Sequence, residues 1–266
     1  MTALQKESRL REELAGYGSV AVAYSGGVDS AYLAAIAAEE LGDQARMVLA
    51  DSPSIPRVEV KEATELALSR GWRLTVLETQ EFENPEYLKN GLDRCYFCKS
   101  ELFNRMQRYA EDQGVEILAY GAMQDDLSDH RPGHQAAREY RVVAPLQHVE
   151  MGKDEIRERS RAMGLPTAEK ASFACMSSRF PTGTAITRAT IARVEAAEDV
   201  LRSEGFHQFR ARHHDDLCRV EVGVDELPRL LDEAVRSRVE SGLKAAGYRY
   251  VTVDLAGYRM GSTSGQ

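Results

Sequence analysis

The chain has no apolar run approaching the ~20 residues that cross a bilayer. Its first residues, Met1-Thr2-Ala3-Leu4-Gln5-Lys6, lack the hydrophobic segment of a secretory signal. No membrane partner and a cytoplasmic location are therefore expected. Cysteine is sparse: four in 266 residues are too few for a disulfide scaffold. In a reducing compartment, a close cysteine pair points instead to a metal or redox site. Basic tracts are missing too. Lys and Arg number 34 against 42 Asp and Glu, for a net charge of −8, which disfavours a general electrostatic grip on nucleic acid and leaves room only for a local basic patch. There is no Walker A loop, because Gly152-Lys153 is followed by Asp154 rather than Ser or Thr. Gly16-x-Gly18 lacks the third glycine of a dinucleotide fingerprint. Repeats and low-complexity tracts are absent, and only residues 261–266 read as disordered.

What remains is an ordinary globular composition, 43% hydrophobic and 29% charged, enough for one large or two modest domains. Apolar, β-prone residues at 19–24, 46–51 and 73–78 alternate with helical patterns, a βαβαβ order that predicts a parallel sheet with helices on both faces. The run Ala23-Tyr24-Ser25-Gly26-Gly27-Val28-Asp29-Ser30 joins the first strand to the first of those helices. Such a junction is an anion site: backbone N–H groups point outward, the helix dipole favours negative charge, and glycines admit a ligand to the backbone. Asp29 repels a bare phosphate but suits the magnesium ion a phosphate brings. The simpler reading is a turn capped by Ser25 or Ser30. Asp51 ends the second strand on the same side of the sheet, where ligands of open α/β sheets bind, although it also reads as a turn-forming acid.

Further along, Asp93-Arg94-Cys95-Tyr96-Phe97-Cys98-Lys99 precedes a helix expected from about residue 100 to 113. Two thiols at Cys-x-x-Cys spacing suit a metal or cluster, a redox dithiol, or two packed thiols. A fourth strand at 115–120 leads into Gly121 and the acids Asp125, Asp126 and Asp129, where Asp126 or Asp125 is a candidate magnesium ligand beside a solvated-loop reading. Residues 142–146 read as a last strand. The stretch Ala174-Cys175-Met176-Ser177-Ser178-Arg179-Phe180-Pro181 is rich in small residues, and its cysteine has basic neighbours, Lys170 and Arg179, of the kind that favour a thiolate. A hairpin across His214-Asp215-Asp216 follows. Alternation sets Arg210 and Arg212 on one strand face, suited to a phosphate or carboxylate or simply exposed. Cys218 reads as a packing residue. A helix at 227–246 and a strand at 248–255 complete a smaller α+β unit. The expected division is 1–168 and 169–266.

The run Ser25-Gly26-Gly27-Val28-Asp29-Ser30 resembles the S-G-G-x-D-S loop of the ATP pyrophosphatases, the PP-loop superfamily with its adenine nucleotide α-hydrolase-like fold. Taken with Arg94 to Lys99, Gly121, the run from Asp125 to Gly133, Ala174 to Gly183, Arg210-x-Arg212 and Asp254 to Ser262, nearly the whole chain resembles one branch. That branch is the ATP-dependent sulfur transferases that mature the nickel-pincer cofactor of lactate racemase (LarE-like). The resemblance implies that ATP and magnesium adenylate a carboxylate of a pyridinium dicarboxylate mononucleotide, after which sulfur displaces AMP to give a thiocarboxylate. It implies ATP contacts at Ser25, Gly26, Gly27, Asp29, Ser30, Asp51 and Gly121, and magnesium at Asp29 and Asp126. Substrate contacts fall on Arg210, Arg212 and Arg259, with Cys175 and Arg179 at the sulfur step. Gly121-Ala122-Met123 stands where the family often has Gly-Thr-Asn, which leaves backbone contacts there.

Members of this branch obtain sulfur in two ways. In one, the cysteine matching Cys175 attacks and then loses its own sulfur, leaving dehydroalanine. In the other, three cysteines hold a 4Fe–4S cluster that delivers a sulfide. Cys95, Cys98 and Cys175 together predict the cluster version. The resemblance also suggests a homo-oligomer. The rivals are a tRNA-thiolating PP-loop enzyme, against which the acidic charge argues, and a non-catalytic ATP- or cluster-binding sensor.

Overall fold

The computed structural model describes residues 1–128, 132–171 and 174–259. The expectations resting on Asp129, Arg131, Ser172, Phe173, Gly261 and Ser262 lie outside them, as does the disorder expected at 261–266. Contacts divide the chain into two units: Met1–Asn84 with Asp93–Phe173, and Pro85–Leu92 with Ala174–Gln266.

The first unit is built on four parallel strands, β1 (Val20–Ala23), β2 (Ala45–Asp51), β3 (Arg73–Glu78) and β4 (Ile117–Tyr120), in the order β3-β2-β1-β4. Alternation along the strands sends Val22, Met47 and Ala119 to one face and Ala21, Val48 and Leu118 to the other. The first set packs on the helices Ala3–Ala15, Val28–Leu41, Arg57–Ser69 and Lys153–Ala162 through Leu10, Leu33, Ile36, Ala67 and Ile156. The second packs on Arg94–Gln113 and Pro132–Glu139 through Phe103, Met106 and Ala136. Both faces of the sheet are thus covered, as parallel sheets require. Among the described residues, no helix is long and apolar enough to cross a membrane.

A buried carboxylate ties three of these helices together. Glu7, 4% exposed, accepts hydrogen bonds from Arg159 Nε at 2.6 Å, Tyr32 Oη at 2.9 Å and Arg11 Nη2 at 3.0 Å.

Two local readings need correction. The strand expected at 142–146 is a single bridge, Ala119 to Val143, because Pro145 lacks an N–H and opens the short helix Pro145–His148 instead. The helix expected from about residue 100 begins at Arg94, so both cysteines lie in its first turns.

The second unit pairs β5 (Phe209–His214) antiparallel with β6 (Leu217–Val222), and β6 parallel with β7 (Tyr250–Val253). The hairpin turns at Asp215, whose φ of 54° places it in the left-handed region. The sheet packs on the helices Arg188–Ser203 and Glu233–Ala245 through Ala197, Leu201, Ala211, Val220, Val239 and Leu243. The single helix expected at 227–246 is broken: Asp232 leaves the helical conformation and caps Ala234 N and Val235 N, so that Leu227–Leu230 and Glu233–Ala245 are separate.

The segment Pro85–Leu92 belongs to this unit although the first unit flanks it in sequence. Asn90 O accepts from Gly183 N at 2.8 Å, Asn90 Nδ2 donates to Pro181 O at 3.0 Å, and Leu88 O accepts from Ile186 N at 2.9 Å.

Candidate functional site

At the carboxyl ends of the strands, β1 gives way to Tyr24, which is locked by Tyr24 N donating to Val48 O and its hydroxyl donating to Ala63 O. The loop that follows does not use its serines as a helix cap. Gly27 is the N-cap of Val28–Leu41 and supplies no side-chain bond. The serines bond to each other instead, Ser25 Oγ to Ser30 Oγ at 3.0 Å, and Ser30 Oγ accepts from Ser25 N at 3.1 Å. The first-turn N–H groups of this helix therefore lack the side-chain acceptor that a capping serine would give them, the condition of an anion site.

Two glycines make this shape possible. Gly26 has φ of 71°, and a Cβ there would lie 2.6 Å from Ala63 Cβ. A Cβ on Gly121, just past β4, would lie 2.9 Å from Ser30 N and 3.1 Å from Asp29 C. Gly121 thus acts by letting β4 seat against the backbone of the β1 loop.

Asp29, in the first helical turn, accepts from Lys153 Nζ with both carboxylate oxygens, at 2.9 and 2.8 Å. Lys153 begins the helix Lys153–Ala162, and its own N–H donates to Asp125 Oδ2 at 2.8 Å. Ser25, Gly26, Gly27, Asp29, Ser30, Gly121, Asp125 and Lys153 therefore form one locus. Asp126 is buried, and its Oδ2 accepts from Met123 N at 3.1 Å, which shapes the loop after β4. Asp51 ends β2 and pairs with Arg57 Nη1 at 2.5 Å, while Arg57 also donates to Ser52 O and Ile55 O. Buried Ser52 and Ser54 of that loop bond to each other and to the buried Glu81.

Lys153, Ser52, Ser54 and Glu81 were not singled out as site residues by sequence reasoning. Gly152-Lys153 was weighed only as a Walker A loop. The usable signal was a lysine at a helix start, a place where dipole logic disfavours a cation unless an anion is near.

Cys95 and Cys98 sit one turn apart at the start of Arg94–Gln113, Cys95 exposed and Cys98 half-buried, with Arg94 Nη2 4.0 Å from Cys95 Sγ. Spacing of i and i+3 puts both sulfurs on one side of the helix, so the pair fits two ligand positions of a metal centre or cluster. Among the described residues, no group of three or more His, Cys, Asp or Glu side chains gathers as a metal cage.

Cys175, in the second unit, is half-buried and is the N-cap of the 3₁₀ turn Met176–Arg179. Its basic neighbours are turned elsewhere. Lys170 pairs with Glu59 at 2.7 Å and Glu62 at 2.8 Å. Arg179 is buried and forks onto Glu198 at 2.8 and 2.9 Å. Arg212 is buried as well and forks onto Glu221 Oε2 at 2.9 and 2.8 Å. Arg210 differs: among the described residues it makes no ion pair, donates to Phe209 O and lies 4.9 Å over the Tyr258 ring. Burial and then the nearby Arg179 charge hold its guanidinium below the usual arginine range. Arg259 is exposed beside Tyr258. Cys218 is fully buried and its thiol is pushed up to about 12 by burial, which suits the packing role expected for it.

A parallel α/β sheet with an uncapped serine–glycine loop after its central strand, an acid in the following turn and a lysine on that acid defines a PP-loop protein. No family model matches the chain. Its relatives are more specific. It is 33% identical over 262 residues, 98% of this chain and 94% of the other, to pyridinium-3,5-bisthiocarboxylic acid mononucleotide synthase of Lactiplantibacillus plantarum. It is 37% identical over 96% of both chains to an uncharacterised protein of Synechocystis. A glutamine-hydrolysing GMP synthase component from Archaeoglobus fulgidus is 31% identical over 162 residues, 56% of this chain and 52% of that one. The chain belongs to the pyridinium-3,5-bisthiocarboxylic acid mononucleotide synthase family, and it is an enzyme of sulfur transfer on a PP-loop frame.

Proposed function

We propose that the chain uses ATP to adenylate a carboxylate of a pyridinium dicarboxylate mononucleotide, releasing pyrophosphate, and then forms a thiocarboxylate by sulfur attack that expels AMP. The observation that carries this reading is the uncapped turn at residues 25–30 with Asp29 held by Lys153. Backbone N–H groups and the two serine hydroxyls receive the phosphates. Asp29 exchanges Lys153 for a magnesium ion carried by ATP, with Asp126 as a further candidate ligand, and Lys153 moves onto the phosphate oxygens. Each of these acts by positioning and by neutralising charge around the α-phosphorus, where the carboxylate oxygen attacks and pyrophosphate leaves. Asp51 belongs to the nucleotide side. Arg210, whose charge has no carboxylate partner among the described residues, takes an anionic group of the substrate, with Arg212 and Arg259 assigned near it.

For the sulfur, Cys95, Cys98 and Cys175 are assigned as ligands of a 4Fe–4S cluster. When bound, such a cluster supplies a sulfide at the iron that no protein thiolate occupies. This chain's own contribution is three thiolates and a Cys175 loop held in one conformation. The sacrificial route is kept as a second reading, because it needs Cys175 alone and that residue is individually braced.

One experiment separates the two: anaerobic reconstitution with iron, sulfide and absorbance measured together, followed by turnover and intact mass. Cluster absorbance lost in Cys95→Ala and Cys98→Ala supports delivery from a cluster. A mass loss of one sulfur at Cys175 supports the sacrificial route. Pyrophosphate release that ignores the dicarboxylate substrate would sink the adenylation step itself. In this reading the chain has two parts divided near residue 168 and acts as a homo-oligomer in the cytoplasm without tRNA.

A further inference from the structure

We propose that Glu198 is a positioning residue that fixes the sulfur-bearing Cys175 loop against the strand carrying Arg210. Glu198 lies on the helix Arg188–Ser203, outside every motif named above, and is 2% exposed. A carboxylate buried so completely is tolerable only when its oxygens are fully engaged, and here they connect two places.

Glu198 Oε1 accepts from Arg179 Nε at 2.8 Å and from Ala211 N at 3.2 Å, while Oε2 accepts from Arg179 Nη2 at 2.9 Å. Ala211 is the β5 residue between Arg210 and Arg212. The fork fixes the guanidinium plane of Arg179, and its remaining nitrogen, Nη1, then faces the cysteine loop. It donates to Cys175 O at 3.0 Å, to Ser178 Oγ at 3.1 Å and to Ala174 O. Arg179 therefore cannot reach a substrate without releasing this backbone.

Two further bonds close the grip. Arg212 Nη1 donates to Ser178 O at 3.0 Å, and the Tyr87 hydroxyl bonds Ser177 Oγ at 2.8 Å. The loop is held by its carbonyls and hydroxyls, which leaves the Cys175 side chain half-exposed. One carboxylate thus sets where the sulfur stands relative to Arg210, the strand's arginine without an acidic partner among the described residues. In a reaction whose rate depends on alignment, a shift of about 1 Å is enough to lower turnover by about a hundredfold.

This inference rests on the reading that Cys175 handles the transferred sulfur, and its test is chosen to separate the two. Glu198→Gln leaves the Arg179 charge buried without its acid and is expected to melt early. The informative variant is therefore the double exchange Arg179→Met with Glu198→Leu, since replacing a whole buried ion pair by apolar side chains is often neutral or stabilising.

The full-length double variant is melted, then treated with iodoacetamide while Cys175 and Cys95 are followed separately by peptide mass. It is assayed with ATP and the dicarboxylate mononucleotide. A melting temperature a few degrees below the parent's is expected, because Ala211 N loses its acceptor, with Cys175 alkylating several-fold faster, Cys95 unchanged, KM for ATP unchanged and kcat down by about tenfold or more. A folded double variant with parental Cys175 alkylation and parental kcat overturns the proposal. Cys175→Ala that still makes thiocarboxylate overturns the sulfur role of Cys175, while faster alkylation in the double variant would still establish the brace.

Discussion

Gly121→Ala isolates how far the nucleotide loop depends on the strand beside it. Gly121 does not have the positive φ that strains an L residue, so alanine there is acceptable to its own backbone. Fewer unfolded conformations would even favour the folded state by about 0.4–1 kcal/mol. What opposes the change is contact. The new Cβ would lie 2.9 Å from Ser30 N and 3.1 Å from both Asp29 C and Ser30 Cα, all backbone atoms of the first turn of Val28–Leu41. Ordinary contact needs roughly 3.5–4 Å, so the helix start or the β4 end must give by several tenths of an ångström.

A rigid response is overpacking, which costs about 1–3 kcal/mol. The net destabilisation is then about 0.5–2 kcal/mol, a fall of roughly 2–6 °C in melting temperature for a chain of this size. A yielding response preserves stability and moves Ser30 and Asp29 instead. Both outcomes weaken the site, and the expected signature is a rise in KM for ATP with little change in KM for the dicarboxylate substrate. The assay is pyrophosphate release against ATP concentration, paired with thermal melting. Parental KM for ATP together with a parental melting curve would refute the reasoning, because it would mean that β4 and the loop are not in contact at this point.

Lys153→Ala is expected to lower kcat/KM for ATP by about tenfold or more while melting stays close to parental, measured by the same pyrophosphate assay. Arg210→Met and Arg212→Met should part company. The first should melt at or above the parental temperature and raise KM for the anionic substrate. The second removes the fork that Arg212 makes onto the buried Glu221 and should lose about 3 kcal/mol or more, read by denaturant unfolding. Acid titration should single out Glu7. Burial alone would raise its pKa, but hydrogen bonds from Arg159, Tyr32 and Arg11 outweigh burial and hold it below 4.5. A depressed folded pKa contributes stability above the unfolded pKa and loses it as pH falls through the folded one. Glu7→Gln should therefore be less stable than the parent at pH 7, and the gap should narrow below about pH 4.5.

The β1 loop was legible because its chemistry is local: glycines, serines and one acid within six residues, between a β-prone run and a helical one. The parallel sheet followed from the same alternation. Longer-range facts were not legible. Lys153 reaches Asp29 across 124 residues, and a lysine at a helix start hints at an anion without saying which acid it meets. The segment Pro85–Leu92 is too short to carry a period, and its place is set by hydrogen bonds to residues 181–186, two from backbone to backbone and one from the Asn90 side chain. Alternation correctly put Arg210 and Arg212 on one face but gave no means of ranking them. Cross-strand register would even mislead, because Glu221 stands directly opposite Arg210 and yet binds Arg212, its diagonal neighbour.

That diagonal choice decides which β5 arginine keeps a charge without an acidic partner among the described residues. Four arginines lie on the Cys175 loop, β5 and β6. Arg179 is neutralised by Glu198, Arg212 shares Glu221 with Arg219, and Arg219 also faces Asp254 at 3.7 Å. Arg210 is left with its charge half-buried, disfavoured first by burial and then by Arg179. Such a charge is destabilising until an anion arrives, so the folded state itself favours binding one there. A carboxylate would be matched by Arg210 alone, whereas a phosphate dianion needs a second cation. Arg210 lies over Tyr258 at 4.9 Å, and the next residue in the chain is the exposed Arg259. In the proposed reading Arg259 supplies that second cation, next in the chain to the ring on which Arg210 stacks. Loss of the stack in Tyr258→Ala should weaken a phosphate-bearing substrate more than the same substrate without its phosphate.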